Sequence, residues 1–192
     1  GIISVLGLDP AIDGRKLRRR IGMQLQESAL PNDIKVWEAL DLYASFYDNP
    51  VDWELLLQRF GIAEKRDSRF SSLSGGQKQR LYIALALIND PEIVFFDEIT
   101  TGLDPQSRRV MWDLMKDIRD QGKTIFLTTH FMDEAETLCD RLVIIDGGKI
   151  IAEGTTPKLA QQLELKNRVN FTTEKEIDIT RINALPDVAD TV

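Results

Sequence analysis

The stretch Ile93-Val94-Phe95-Phe96-Asp97-Glu98 joins four consecutive apolar residues to a pair of carboxylates, and it decides the fold. A short, unbroken apolar run is the pattern of a strand buried on both faces, because alternation is lost once helices cover both sides. Before it, Leu81, Ile83, Ala84, Leu85, Leu87 and Ile88 mark an apolar helix over about 78–88, closed by Asn89-Asp90-Pro91. After it, Pro105 opens a second helix in which Val110, Met111, Leu114, Met115 and Ile118 recur at three- and four-residue steps until Gly122. Thr124-Ile125-Phe126-Leu127-Thr128 reads as another buried strand, with a short helix following near Met132 to Leu138. Leu142-Val143-Ile144-Ile145, Gly147-Gly148 and Ile150-Ile151-Ala152 read as a hairpin. The whole is an α/β fold: a largely parallel sheet covered by helices, with an antiparallel edge.

The flanks read differently. From Val36 to about Phe60 the pattern is helical, broken at Asp48-Asn49-Pro50, with Trp37, Leu40, Leu42, Tyr43, Phe46, Trp53, Leu56 and Leu57 as expected core anchors of a small helical subdomain. From Lys166 onward the chain turns strand-like again (Val169, Phe171, Ile177, Ile179), as if a further region began there.

Composition bounds the possibilities. The 192 residues carry 24 Lys+Arg against 31 Asp+Glu, a net charge of −7, which argues against a nucleic-acid binder built on a broad basic face. Hydrophobic residues at 43% and charged residues at 29% exclude a disordered or fibrous class. The single cysteine, Cys139, cannot form an internal disulfide, so a reducing, cytosolic setting is expected. No apolar run reaches the roughly 18 residues of a membrane span, and the N-terminal residues lack a signal-peptide pattern.

Three clusters carry candidate chemistry, each with a plain structural alternative. In Leu73-Ser74-Gly75-Gly76-Gln77, Ser74 is a good N-cap and the paired glycines allow a ligand close to the backbone, where a helix N-terminus attracts phosphate. The alternative is a capped helix after a Ser-rich loop. Asp97 and Glu98 stand at the C-terminal end of the buried strand, where open α/β sheets bind ligands. There an Asp can hold a metal and a Glu can act as general base on water; the alternative is an acidic turn. His130, the only histidine, follows Thr128-Thr129 and therefore shares that rim of the sheet, unless it is simply an exposed side chain.

Together these residues resemble the ATP-binding-cassette (ABC) ATPases. Leu73–Gln77, the strand ending Asp97-Glu98, Thr101-Gly102-Leu103-Asp104 and His130 are similar to the family's signature motif, Walker B, D-loop and switch histidine, in that order and spacing. Gln26, in Ile21-Gly22-Met23-Gln24-Leu25-Gln26-Glu27, resembles the Q-loop glutamine. The resemblance spans residues 3–160 and implies a P-loop NTPase fold of ABC type with a helical signature subdomain at about 30–90. Residues 161–192 would begin a C-terminal accessory region.

The resemblance implies the roles as well. Gln26 would touch the Mg²⁺ and the attacking water and link the site to the transport partner. Asp97 would hold the Mg²⁺ shell, Glu98 would polarise the water, and His130 would contact the γ-phosphate of ATP. Ser74, Gly75, Gly76 and Gln77 would close over ATP held by a second subunit of a head-to-tail dimer, with Asp104 on the seam. A transmembrane permease subunit would dock on residues 26–36, placing the protein at the cytoplasmic face of the cell membrane. The run from Thr128 to Glu136 is most similar to drug- or lipid-exporter ATPases. No nucleic-acid partner is expected, and the dense basic cluster Arg15, Lys16, Arg18, Arg19, Arg20 reads as a solvated face.

Two departures qualify the resemblance. Ile99 stands where the family usually has proline after the Glu. More seriously, no Gly-x-x-x-x-Gly-Lys-Ser/Thr occurs; the one Gly-Lys-Thr, Gly122-Lys123-Thr124, lies between a helix and a strand, the reverse of the order a phosphate-cradling loop needs. The P-loop is therefore expected upstream of Gly1, on a strand beside Ile93–Phe96, whose absence would expose backbone edge and apolar side chains and leave the chain marginal or prone to association. Two alternatives stay open: a non-catalytic interaction module unable to hold ATP alone, and a soluble ABC ATPase of another kind.

Overall fold

A computed structural model describes residues 1–26 and 29–162, together with Ile182. The element order is α1 (Gly14–Arg18), β1 (Ile21–Gln24), α2 (Val36–Ala44), α3 (Trp53–Arg59), α4 (Gly75–Ala86), β2 (Ile93–Asp97), α5 (Pro105–Asp120), β3 (Thr124–Thr128), α6 (Met132–Leu138), β4 (Leu142–Asp146), β5 (Lys149–Gly154) and α7 (Thr156–Gln162). The chain divides into two units, residues 1–142 and residues from 143 on. The strand-like pattern read from Lys166 onward lies outside the described residues.

In the first unit, β1, β2 and β3 form a parallel three-stranded sheet with β2 in the centre. The register sets Met23 beside Phe95 and Phe95 beside Phe126, and brings Asp97 level with Thr128. Val94 and Phe96 alternate inward onto the helices, while Ile93 and Phe95 are only half-buried. Ile125 and Leu127 of β3 are partly buried and Phe126 is exposed. The expectation that both apolar runs are buried on two faces is thus corrected: among the described residues helices cover one face alone. Four apolar residues in a row are consistent with either case, because the run does not say which face has a partner. The expected strand neighbours are corrected too. Both edges of β2 are already paired, so no backbone edge is exposed there and no further strand can lie directly beside it.

β1 had no strand signature, because Gly22 interrupts its short apolar pattern. Glycine is required there for another reason: a Cβ on Gly22 would stand 2.0 Å from the Ala86 carbonyl oxygen, where the C-terminal end of α4 crosses the strand. The Asn89 amide after α4 also donates to the Ile21 carbonyl at 3.0 Å, tying β1 to the same corner.

α4 is the hub. Leu81, Ile83, Ala84, Leu85 and Ala86 are all buried, so the C-terminal half of the helix is apolar nearly all round, and the helix packs against α2, α3 and β1. Ser74 caps it, accepting from the Gln77 backbone N–H at 3.3 Å while the Gln77 side chain accepts from the Ser74 N–H at 2.9 Å. Two expected core anchors are not buried: Leu42 is exposed and Phe46 is 64% exposed. Trp37 and Trp53 are half-buried, with the Arg66 guanidinium over both rings at 5.7 and 5.4 Å. A three- to four-residue spacing places a residue on a face, but the neighbour that covers that face comes from elsewhere in the chain.

In the second unit β5 joins β4 as a two-stranded sheet across Gly147-Gly148, whose φ values of +53° and +73° are the left-handed pair that a tight two-residue hairpin demands.

Candidate catalytic site

The three parallel strands end on one rim, and the candidate residues sit just past those ends. Gln26 follows β1, Asp97 and Glu98 finish β2, and His130 follows β3. Glu98 has φ of +49°, the left-handed region that non-glycine residues rarely adopt, so the chain turns sharply as it leaves the sheet. Such conformations cost of order 1–3 kcal/mol and gather at functional sites. The turn is pinned by the Glu98 N–H donating to the Thr128 carbonyl at 3.1 Å and by the Thr101 N–H donating to the Glu98 carbonyl at 3.1 Å.

Two of the expected residues converge on the carboxylate of a third. The Gln26 amide donates from Nε2 to Glu98 Oε2 at 3.0 Å, and His130 Nδ1 lies 3.2 Å from Glu98 Oε1. An ionised carboxylate only accepts, so Nδ1 is the donor; the imidazole can then donate from Nε2 as well only when it is protonated. The neighbouring Asp97 accepts at Oδ1 from the Thr128 hydroxyl, its register partner on β3. Thr101 adds a longer donation to Glu98 Oε2 at 3.4 Å. Sequence reasoning singled out neither threonine for this site. Thr128 becomes visible only once the β2–β3 register is known.

The signature residues belong to a second cluster, at the N-termini of α4 and α5. Asp104 caps α5, accepting from the backbone N–H groups of Gln106 at 3.0 Å and Ser107 at 2.9 Å and from the Ser107 hydroxyl at 2.6 Å. The Ser107 hydroxyl, followed by these backbone donors, holds the Asp104 carboxyl below the usual carboxylate range. A Cβ on Gly76 would meet Ser107 Oγ at 3.6 Å, so the glycine turn and the Asp104 turn are direct neighbours. Ile99, the residue standing in place of proline, is 1% exposed and belongs to the core.

Elsewhere the candidates take ordinary structural roles. Lys123 of the Gly-Lys-Thr run pairs with Asp90 at 2.5 Å and donates to the Pro91 carbonyl at 3.0 Å, far from the order of a phosphate loop. In the basic cluster Arg20 forks onto Glu92 at 2.6 and 3.0 Å; their mutual hydrogen bond raises the arginine pKa and lowers that of the glutamate. Beside the end of β1, a pocket is lined by Met23, Gln24, Ala29, Tyr43, Tyr82 and Leu85. No helix among the described residues is long and apolar enough to cross a membrane.

Residues 1–101 match the family model described as ABC transporter. The Nod factor export ATP-binding protein I of Rhizobium etli is 42% identical over 168 residues, covering 85% of this chain and 53% of that protein. The Nod factor export ATP-binding protein I of Burkholderia pseudomallei is 41% identical over 170 residues, covering 86% and 56%. A solved structure of the ATP-binding subunit of an ABC transporter superposes with a TM-score of 0.75 at 28% identity, covering 88% of this chain and 72% of that one. The fold is therefore the α/β fold of P-loop nucleotide-binding proteins. The chain belongs to the ABC transporter family. It spans about half the length of the curated relatives it matches.

Proposed function

We propose that this chain is part of an ATP-hydrolysing subunit of an exporter, working at the cytoplasmic face of the cell membrane with a separate permease subunit. The observation that carries the reading is Glu98 at the strand rim, held between Gln26 and His130. Glu98 is the general base that takes a proton from water, Gln26 orients its carboxylate, and His130 contacts the terminal phosphate from Nε2. A positioned base of this kind supplies about 10²–10⁴-fold in rate.

The donor set suits Mg²⁺: Asp97, Gln26 and Thr128 offer only oxygens, the hard ligands this ion takes. Among the described residues no group of three or more His, Cys, Asp or Glu would hold a metal alone, so phosphate and water oxygens would complete the shell. When bound, Mg²⁺ neutralises charge on the phosphates. The phosphate-cradling loop is not in these 192 residues and would be supplied from outside them.

Ser74, Gly75, Gly76 and Gln77 face a second subunit's ATP across a head-to-tail dimer, with Asp104 on the seam. The permease docks on residues 26–36; the exposed side chains of Leu25, Leu42 and Phe46 offer it apolar contacts. Residues 1–160 make the ATPase domain, about 30–90 its helical subdomain, and 161–192 begin an accessory region.

The test is Glu98→Gln beside His130→Ala in the ATP-binding subunit that carries a P-loop. Both variants are expected to bind ATP and lose turnover by about 10²-fold or more; unchanged hydrolysis would refute the roles. The missing Gly-x-x-x-x-Gly-Lys-Ser/Thr favours a second reading for the isolated stretch, a dimer-surface module without nucleotide of its own. Titration of the 192-residue chain with MgATP separates the two, and micromolar binding would sink the second.

A further inference from the structure

His130 lies exposed on the irregular turn between β3 and α6, yet its ring is not left to solvent alone. The Phe131 ring packs on the imidazole with centroids 4.2 Å apart, and the Arg108 guanidinium lies over Phe131 at 4.0 Å from its centroid. Arg108 is not an ordinary surface arginine. Its side chain is 22% exposed, its Nε is buried without a hydrogen-bond partner, and its nearest carboxylate oxygen, on Asp133, is 3.9 Å away. A guanidinium that gives up hydration at Nε to lie on an aromatic face is acting as a plate more than as a solvated charge.

The helix that follows is held with similar insistence. Glu134 of α6 is wholly buried; Trp112 donates from Nε1 to its Oε1 at 3.0 Å, while its Oε2 has no partner among the described residues. Arg108 and Trp112 stand four residues apart on α5 and therefore share a face. That face meets Phe131 and Glu134 at two points, one below the histidine and one a turn further on.

We propose that Arg108 is a positioning residue for His130: through Phe131 it fixes the imidazole in its hydrogen bond to Glu98, and the Trp112–Glu134 bond holds the helix from which Phe131 leads. Asp104 caps this same α5 and its carbonyl accepts from the Arg108 N–H at 2.9 Å, so the Asp104 turn and the support of the histidine share the first turn of one helix. This rests on the reading of His130 given above, and its consequence is chemical. A fixed ring keeps Nδ1 as the donor to the carboxylate and Nε2 as the atom that faces outward chemistry; a released ring does not.

His130 is the only histidine in the sequence, so one imidazole signal set reports on it without assignment by mutation. In ¹⁵N-labelled 192-residue chain at mildly alkaline pH, long-range ¹H–¹⁵N spectra are expected to show Nδ1 as the protonated nitrogen. Arg108→Met keeps the bulk and removes the plate; the nitrogen shifts should then move toward the Nε2-protonated form usual for free imidazole. Trp112→Phe should move them the same way by less. Should Arg108→Met lose its far-UV circular dichroism, Phe131→Leu asks the same question. A wild-type ring protonated at Nε2, or a folded variant of Arg108 or Phe131 that keeps the wild-type nitrogen shifts, overturns the proposal. These spectra need no nucleotide: lost turnover of the same variant in the subunit that carries a P-loop, with unchanged shifts here, would refute the positioning and leave the proposed function standing, whereas moved shifts with unchanged turnover there would do the reverse.

Discussion

The two faces of the parallel sheet differ in kind. On one, Val94 and Phe96 press onto the helices, Phe96 being 1% exposed, and Gly22 admits a backbone carbonyl where any side chain would collide. On the other, Met23, Phe95 and Phe126 form a row in register across all three strands, with Met23 53% and Phe126 58% exposed. Both faces are apolar; among the described residues only one has a partner. The lesson is that side-chain chemistry sets what a strand can bury, while the neighbours that arrive determine what it does bury.

Substitutions on the two faces should therefore separate. Phe96→Ala is expected to cost about 4 kcal/mol in urea unfolding, the usual toll for emptying an aromatic site in a closed core. Gly22→Ala comes next, at about 3 kcal/mol by the same measurement, since the Ala86 carbonyl is backbone and can yield only by shifting α4 from β1. Phe126→Ser on the bare face should change unfolding by less than about 1 kcal/mol and reduce self-association and hydrophobic-dye binding. Equal losses for Phe96→Ala and a Phe126→Ala control would erase the distinction between the faces.

The smallest effect concerns the cap of α5. Asp104 titrates below the usual carboxylate range because Ser107 and Gln106 donate to it, so its contribution is complete above the ordinary carboxylate pKa and is lost as pH falls through the lower folded value. Asp104→Asn should flatten that acid limb of a stability–pH curve and leave neutral stability little changed; a parallel curve would show that the cap does not titrate with folding.

Much of this was legible in the residues themselves. β3, α5, α6 and the hairpin fall where periodicity and the punctuation at Pro105, Gly122 and Gly147-Gly148 placed them, and Ser74 caps α4 as its position required. α4 begins at Gly75, earlier than its apolar residues announce, since the first turn needs only a cap. β1 was hidden by the glycine that its packing needs. The open face was hidden because an apolar strand looks the same with or without a cover. At the site, Gln26, Glu98 and His130 were linked by family resemblance and meet in space; Thr101 and Thr128 were overlooked because their roles arise from register and a left-handed turn, which no residue spacing encodes.

The Glu98 carboxylate has one further consequence, a matter of counting. Its two oxygens offer about four directions from which a donor can approach. Gln26 and Thr101 fill both at Oε2, and His130 takes one at Oε1. Among the described residues the fourth direction, on the oxygen next to the imidazole, has no donor, so that is the side from which a water would approach this carboxylate.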